Sequence, residues 1–104
     1  MKKMKFEIGQ VYRTRGIDYL VNEHPSYINE LIRCFERYLT MDFGNLCDED
    51  IKANYDAIKY NERILGSYNT TYSKIFIITE ADRATTTILL AEEYWNDRKR
   101  EVYR

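Results

Sequence analysis

Two carboxylates and a guanidinium stand within four residues at Glu80, Asp82 and Arg83. A cluster of this type binds a divalent cation and activates water for phosphodiester hydrolysis. The same run between two apolar stretches is also ordinary turn chemistry, with the aspartate accepting from its own backbone and the arginine pairing locally. A metal nuclease would further need a basic groove and a nearby lysine, so the turn reading is the stronger. A second acidic group, Asp42 with Asp48, Glu49 and Asp50, could imitate a row of phosphates and enter a positively charged nucleic-acid channel. Three of these four acids also stand where a helix N-terminus favours negative charge. Arg13 with Arg15, and Arg98 with Lys99 and Arg100, suit RNA or an acidic partner surface, although a solvated face is the commoner role of such pairs.

Nucleophilic catalysis finds little support. His24 is the one histidine, and neither it nor Cys34 or Cys47 is accompanied by a nucleophile turn or an oxyanion-hole sequence. The same three residues lack the spacing of a zinc site. Gly9, Gly16, Gly44 and Gly66 are scattered singly, so there is no phosphate-binding loop. No cofactor and no metal are expected. With no C-x-x-C pair, both cysteines are expected to be free.

The elements that must position these residues follow from periodicity. Residues 10–15, an alternating stretch between Gly9 and Gly16, read as an edge strand with Arg13 and Arg15 on one face. A brief helix or turn over 17–23 ends before Pro25, and Ser26 offers an N-cap. Tyr27, Ile28, Leu31, Ile32, Phe35, Tyr38 and Leu39 recur at helical spacing and define the main core helix, over 26–40. Gly44 and short polar residues stop it, and a second helix over 48–60 carries Ile51, Tyr55 and Ile58 with Ala53 and Ala57 alongside. Three β-rich runs follow at 63–68, 74–79 and 85–90, joined by loops short enough for hairpins. Ile75, Phe76, Ile77 and Ile78 are apolar without alternation, which marks a central strand covered on both faces.

A chain of 104 residues supports one core. Its 44% apolar and 32% charged composition suits a folded globule. No apolar run approaches the ~20 residues that cross a bilayer, and Met1 to Lys5 lead into Phe6-Glu7-Ile8 without a signal segment, so a cytoplasmic protein is expected. A net charge of −1 argues against broad nucleic-acid binding. Ten tyrosines supply amphipathic area of the kind interfaces use, though many tyrosines serve as core edges.

Several motifs together carry a resemblance: Thr14-Arg15-Gly16; Asp42-Phe43-Gly44 with Leu46, Glu49-Asp50 and Asn54; Glu62-Arg63-Ile64-Leu65 with Tyr68. The most specific is Ile75-Phe76-Ile77-Ile78-Thr79-Glu80-Ala81-Asp82-Arg83 with Thr86-Thr87-Ile88-Leu89 and Glu93-Tyr94. Over residues 5–94 the chain resembles a family of small proteins from Firmicute plasmids, prophages and integrative elements. Phe43 stands where the family usually has Trp, and Ala91 where it has proline. Members are often labelled restriction-modification subunits, but this sequence has no cofactor loop or methyltransferase motif. The resemblance implies a mobile-element accessory protein, a setting that includes anti-CRISPR inhibitors of type II effector nucleases, and it carries over no active-site residues.

The expected fold is α+β: a three- to four-stranded antiparallel sheet packed on one face by two main helices. One domain spans 1–94, with 95–104 a C-terminal extension, either short helix or flexible tail. The expected function is non-catalytic inhibition of a host CRISPR effector nuclease or its guide-RNA complex. Glu80, Asp82, Arg83, Asp42, Asp48, Glu49, Asp50, Arg13 and Arg15 are the candidate contacts. A nucleic-acid-binding regulator and a small metal-dependent nuclease are the alternatives.

Overall fold

The computed structural model describes residues 6–97, with side chains as far as Tyr94. Its elements in chain order are β1 (Gln10–Arg13), α1 (Arg15–Glu23), α2 (Tyr27–Leu39), α3 (Asp48–Tyr60), β2 (Ile64–Asn69), β3 (Lys74–Thr79), β4 (Thr85–Leu90) and α4 (Ala91–Asp97). The strands form one sheet in the order β1-β4-β3-β2. The expected meander is present: β2 pairs antiparallel with β3, and β3 with β4. β1 departs from the expectation because it runs parallel to β4, from Gln10 opposite Thr85 to Arg13 opposite Ile88. Parallel neighbours require a crossover, and the connection from β1 to β4 supplies one through three helices and a hairpin.

The α+β class holds, but the helices divide the work differently from the expectation. α1 is a full helix from Arg15 and contributes the fully buried Ile17. α2 buries Tyr27, Leu31, Cys34 and Tyr38, while Ile32 of the anticipated stripe is half exposed. These side chains meet Ile64, Tyr68, Ile75, Ile77, Ile88 and Leu90 on one face of the sheet. α3 buries Asn54 and Ala57 and leaves Tyr55 half exposed. It meets the sheet at the β2 edge, where the Asn54 amide donates to the Leu65 carbonyl (2.7 Å) and its carbonyl accepts from the Leu65 N–H (3.1 Å). The next outward pair on β2 is met by backbone: Ser67 N–H donates to Phe43 O (3.0 Å), and Asn45 N–H donates to Ser67 O (2.7 Å). Both groups would otherwise be an open strand edge.

On the opposite face Ile78 and Leu89 are buried, and Tyr94 of α4 meets Phe76 edge-on with ring centroids 5.4 Å apart. The central strand β3 is therefore covered on both faces, as its unbroken apolar run implies. Helix α4 runs through Asp97, so the domain boundary expected at residue 94 falls inside a helix.

Ser26 does not cap α2. Its backbone is already helical and its side chain makes no cap bond. A turn of backbone bonds leads in instead, from Tyr27 N–H to His24 O (2.8 Å) and Asn29 N–H to Ser26 O (3.0 Å). A buried hydroxyl chain ties the layers together. Thr86 donates to Ile8 O at 2.7 Å, so the 2.7 Å contact with Thr79 must have Thr79 donating. The 2.6 Å contact with Tyr38 then has the phenol donating. All three side chains are fully buried, and the satisfied chain links α2, β3, β4 and the segment before β1.

Candidate functional site

The β3–β4 turn shows what its charged residues do. Arg83 takes a left-handed backbone, φ 61°, which turns its side chain back under the hairpin. Its guanidinium donates to Glu62 O (2.7 Å), Ala57 O (2.9 Å), Glu80 O (3.1 Å) and Ala81 O (3.3 Å). Ala57 lies in the last turn of α3, the negative end of the helix dipole, where its carbonyl also accepts from the Asn61 and Glu62 N–H groups, so Arg83 clamps the helix end to the hairpin. Asp82 accepts from Ala84 N–H at 2.9 Å, an Asx turn. Glu80 pairs with Arg63 at 3.1 Å. Among the described residues no three His, Cys, Asp or Glu side chains converge in a way that could hold a metal ion.

The acidic group divides in two. Asp42 is held by the forked guanidinium of Arg37 at 2.8 and 3.2 Å and accepts from Gly44 N–H at 3.2 Å. Its hydrogen bond to Arg37 holds the carboxyl below the usual carboxylate range. Asp48, Glu49 and Asp50 form the exposed first turn of α3. The two arginines expected on one strand face are separated: Arg13 ends β1 and pairs with Asp18 at 3.0 Å, while Arg15 opens α1 and is exposed. Arg98, Lys99 and Arg100 lie outside the described residues.

The His24 ring stacks on Tyr72, with centroids 4.1 Å apart and planes 12° from parallel. Both cysteines are free. Cys47 is exposed, and Cys34 lies in the core, where burial pushes its thiol up and away from the reactive thiolate.

Two features were not singled out by sequence. Glu93 accepts from the Thr14 hydroxyl (2.5 Å), Gly16 N–H (2.9 Å) and Leu90 N–H (2.8 Å). It thus caps its own helix with the glutamate half of a capping box, the N-cap position being Leu90, and also serves the first turn of α1. Gly16 permits this approach, since a Cβ there would lie 2.7 Å from the carboxylate and 2.6 Å from Leu90 Cδ1. The only sequence signal was that Thr14-Arg15-Gly16 and Glu93-Tyr94 belong to one set of motifs.

The second feature is a groove of about 480 Å³ beside this clasp. Leu20 and Leu90 contribute apolar surface, Tyr19 and Tyr72 aromatic surface, and Arg15 and Glu92 opposite charges. Tyr19 is 62% exposed and Tyr72 46%. Tyr72 is fixed from behind by His24 and edge-on by Tyr27 at 5.3 Å, and Tyr27 is itself bonded to Thr70 at 2.6 Å. A rigid aromatic surface of this kind binds at low entropic cost. Among the described residues no helix is long and apolar enough to cross a membrane. Comparison with protein-family models, with curated proteins and with solved structures returns no match.

Proposed function

We propose that this chain acts by binding a protein without turning it over, as a mobile-element inhibitor of a host type II CRISPR effector nuclease or its guide-RNA complex. The target class rests on the motif resemblance described above. The mode of action is supported chiefly by one observation: the Arg83 guanidinium, the most distinctive polar group of those motifs, is directed at four backbone carbonyls. Thr14, Asn54, Thr79, Thr86 and Glu93 are likewise engaged within the scaffold. Contact with a partner then falls to exposed side chains, foremost Tyr19 and Tyr72 with Arg15 and Glu92 in the groove. Large aromatic rings are what interface hot spots are made of, and Tyr72 is held in place by His24 and Tyr27.

The experiment is recovery of the effector on tagged protein from a lysate containing effector and guide RNA, with and without nuclease treatment. The reading expects recovery to survive nuclease treatment and to fall at least tenfold in Tyr19→Ala/Tyr72→Ala, with Glu80→Ala/Asp82→Ala unchanged. Recovery lost on nuclease treatment, or absent throughout, refutes it. Arg15 beside two tyrosines also suits single-stranded nucleic acid. Steep salt dependence of RNA or DNA retention would mark that second reading.

A further inference from the structure

The two edges of the sheet are treated differently. On β2 the outward groups of Leu65 and Ser67 are met by Asn54, Phe43 and Asn45. On β1, Gln10 N–H donates inward to Ala84 O (3.0 Å) and Thr14 N–H to Ile88 O (3.2 Å). Alternation along a strand then directs the N–H and C=O groups of Val11 and Arg13 outward. Among the described residues no backbone group meets them, and the whole strand is exposed, Val11 by 44% and Tyr12 by 50%. The usual defences of a free edge are shortness, charge, proline or a bulge. β1 has no proline, lysine or bulge, and the charge of Arg13 is already matched by Asp18, so its shortness, four residues, is the defence that remains.

We infer that β1 pairs antiparallel with β1 of a second copy of this chain, making one continuous sheet of two four-stranded halves. Three two-folds bring outward groups face to face, centred on Val11, on Tyr12 or on Arg13, and the last sets the two Arg13 charges together with Val11 opposite the helical Arg15. The first needs Gly9 opposite Arg13, and Gly9 has φ 61°, outside extended geometry. Centring on Tyr12 places Val11 opposite the partner's Arg13 in both directions, each a doubly bonded pair. It sets the two Tyr12 rings side by side at a non-hydrogen-bonded position, a favourable cross-strand pair. No like charges face one another. Because the β2 edge is already met at Leu65 and Ser67, the assembly stops at two and does not extend into a filament. The contact spans only four residues per strand, so the dimer is weak and depends on concentration.

The test is sedimentation of the full chain over a concentration series, together with crosslinking. The average mass is expected to rise from 12.6 kDa towards twice that value, and Val11→Pro, which removes an outward N–H but no inward one, is expected to remain at the monomer mass with an unchanged circular dichroism spectrum. In a Cys47→Ser background, oxidation of Tyr12→Cys is expected to give a disulfide dimer, because facing residues at such a position lie ~4.5 Å apart between Cα atoms. Gln10→Cys, displaced in this register, is expected to give none. A mass constant with concentration and no Tyr12→Cys crosslink would overturn the proposal. So would a dimer indifferent to Val11→Pro, or equal crosslinking at both positions.

Discussion

Replacing Arg83 separates its part in the fold from any part in binding. Two of its four bonds reach other elements, Ala57 O in the last turn of α3 and Glu62 O on the way into β2. A hydrogen bond from a charged donor contributes about 1.5–3 kcal/mol. Arg83 is only half-buried, so the low end applies, and the two long-range bonds together contribute about 3 kcal/mol. For a domain near 100 residues this lowers Tm by roughly 12–24 °C in Arg83→Ala. Arg83→Gly loses the same bonds but relieves the left-handed backbone, worth about 1 kcal/mol, and should melt above the alanine variant. Arg83→Lys, whose single ammonium cannot serve carbonyls on both sides of the turn, should fall between wild type and alanine. Thermal unfolding by circular dichroism measures all three. A Tm for Arg83→Ala close to wild type, or glycine no better than alanine, would refute the clamp. Loss of binding in Arg83→Ala must accordingly be compared with the folded fraction before it is assigned to the interface.

Three further outcomes are expected. Burial raises the phenols of Tyr27, Tyr38 and Tyr68 above the ordinary value of 10.0. Unfolded phenols ionise near pH 10 while the folded ones keep their protons, so this stability is complete below pH 10 and is lost as pH rises above it, by up to ~1.4 kcal/mol per pH unit for each group. Denaturant midpoints measured through that range should fall less steeply in Tyr38→Phe. Asn54→Ala leaves both Leu65 backbone groups without their side-chain partner, costing about 2 kcal/mol and promoting light scattering through the reopened edge. A melt within 2 °C of wild type, taken as about 0.3 kcal/mol, would show that water replaces the amide. Glu93→Gln turns one acceptor into a donor against Thr14, Gly16 or Leu90 and should destabilise by about 1–2 kcal/mol, with Glu93→Asp too short to restore it. Equal stability of glutamate and glutamine would remove the clasp.

The local grammar of the chain carried most of the secondary structure. The strands at 74–79 and 85–90 and the helix at 48–60 have the expected bounds, and β2 is displaced by one residue. Periodicity found α2 because its buried face really is apolar. On α3 it found the buried Ala57 and the partly buried Ile58 but missed Asn54 and counted the half-exposed Tyr55, because that helix meets a strand edge, where an amide able to bond the backbone is more useful than a ring. The parallel pairing of β1 was hidden since four exposed residues carry no signal of direction. Arg83 and Glu93 were named among motifs, yet their bonds reach carbonyls and amides far away in sequence, which no local pattern encodes. The groove was invisible for the same reason: Arg15 and Tyr19 come from one end of the chain, Tyr72 from a hairpin, Leu90 and Glu92 from the other end.

The clasp between Thr14 and Glu93 joins positions 79 residues apart. Among the described residues β1, the earliest strand in chain order, has its strand neighbour in β4, the latest. The β2–β3–β4 meander can close through short hairpins while β1 and the start of α1 still wait for their partners. A nascent chain arrested before residue 93 has emerged therefore holds an unzipped β1 and a Thr14 cap that lacks its Glu93 partner, and emergence of β4 and Glu93 is the event that closes the sheet around β1.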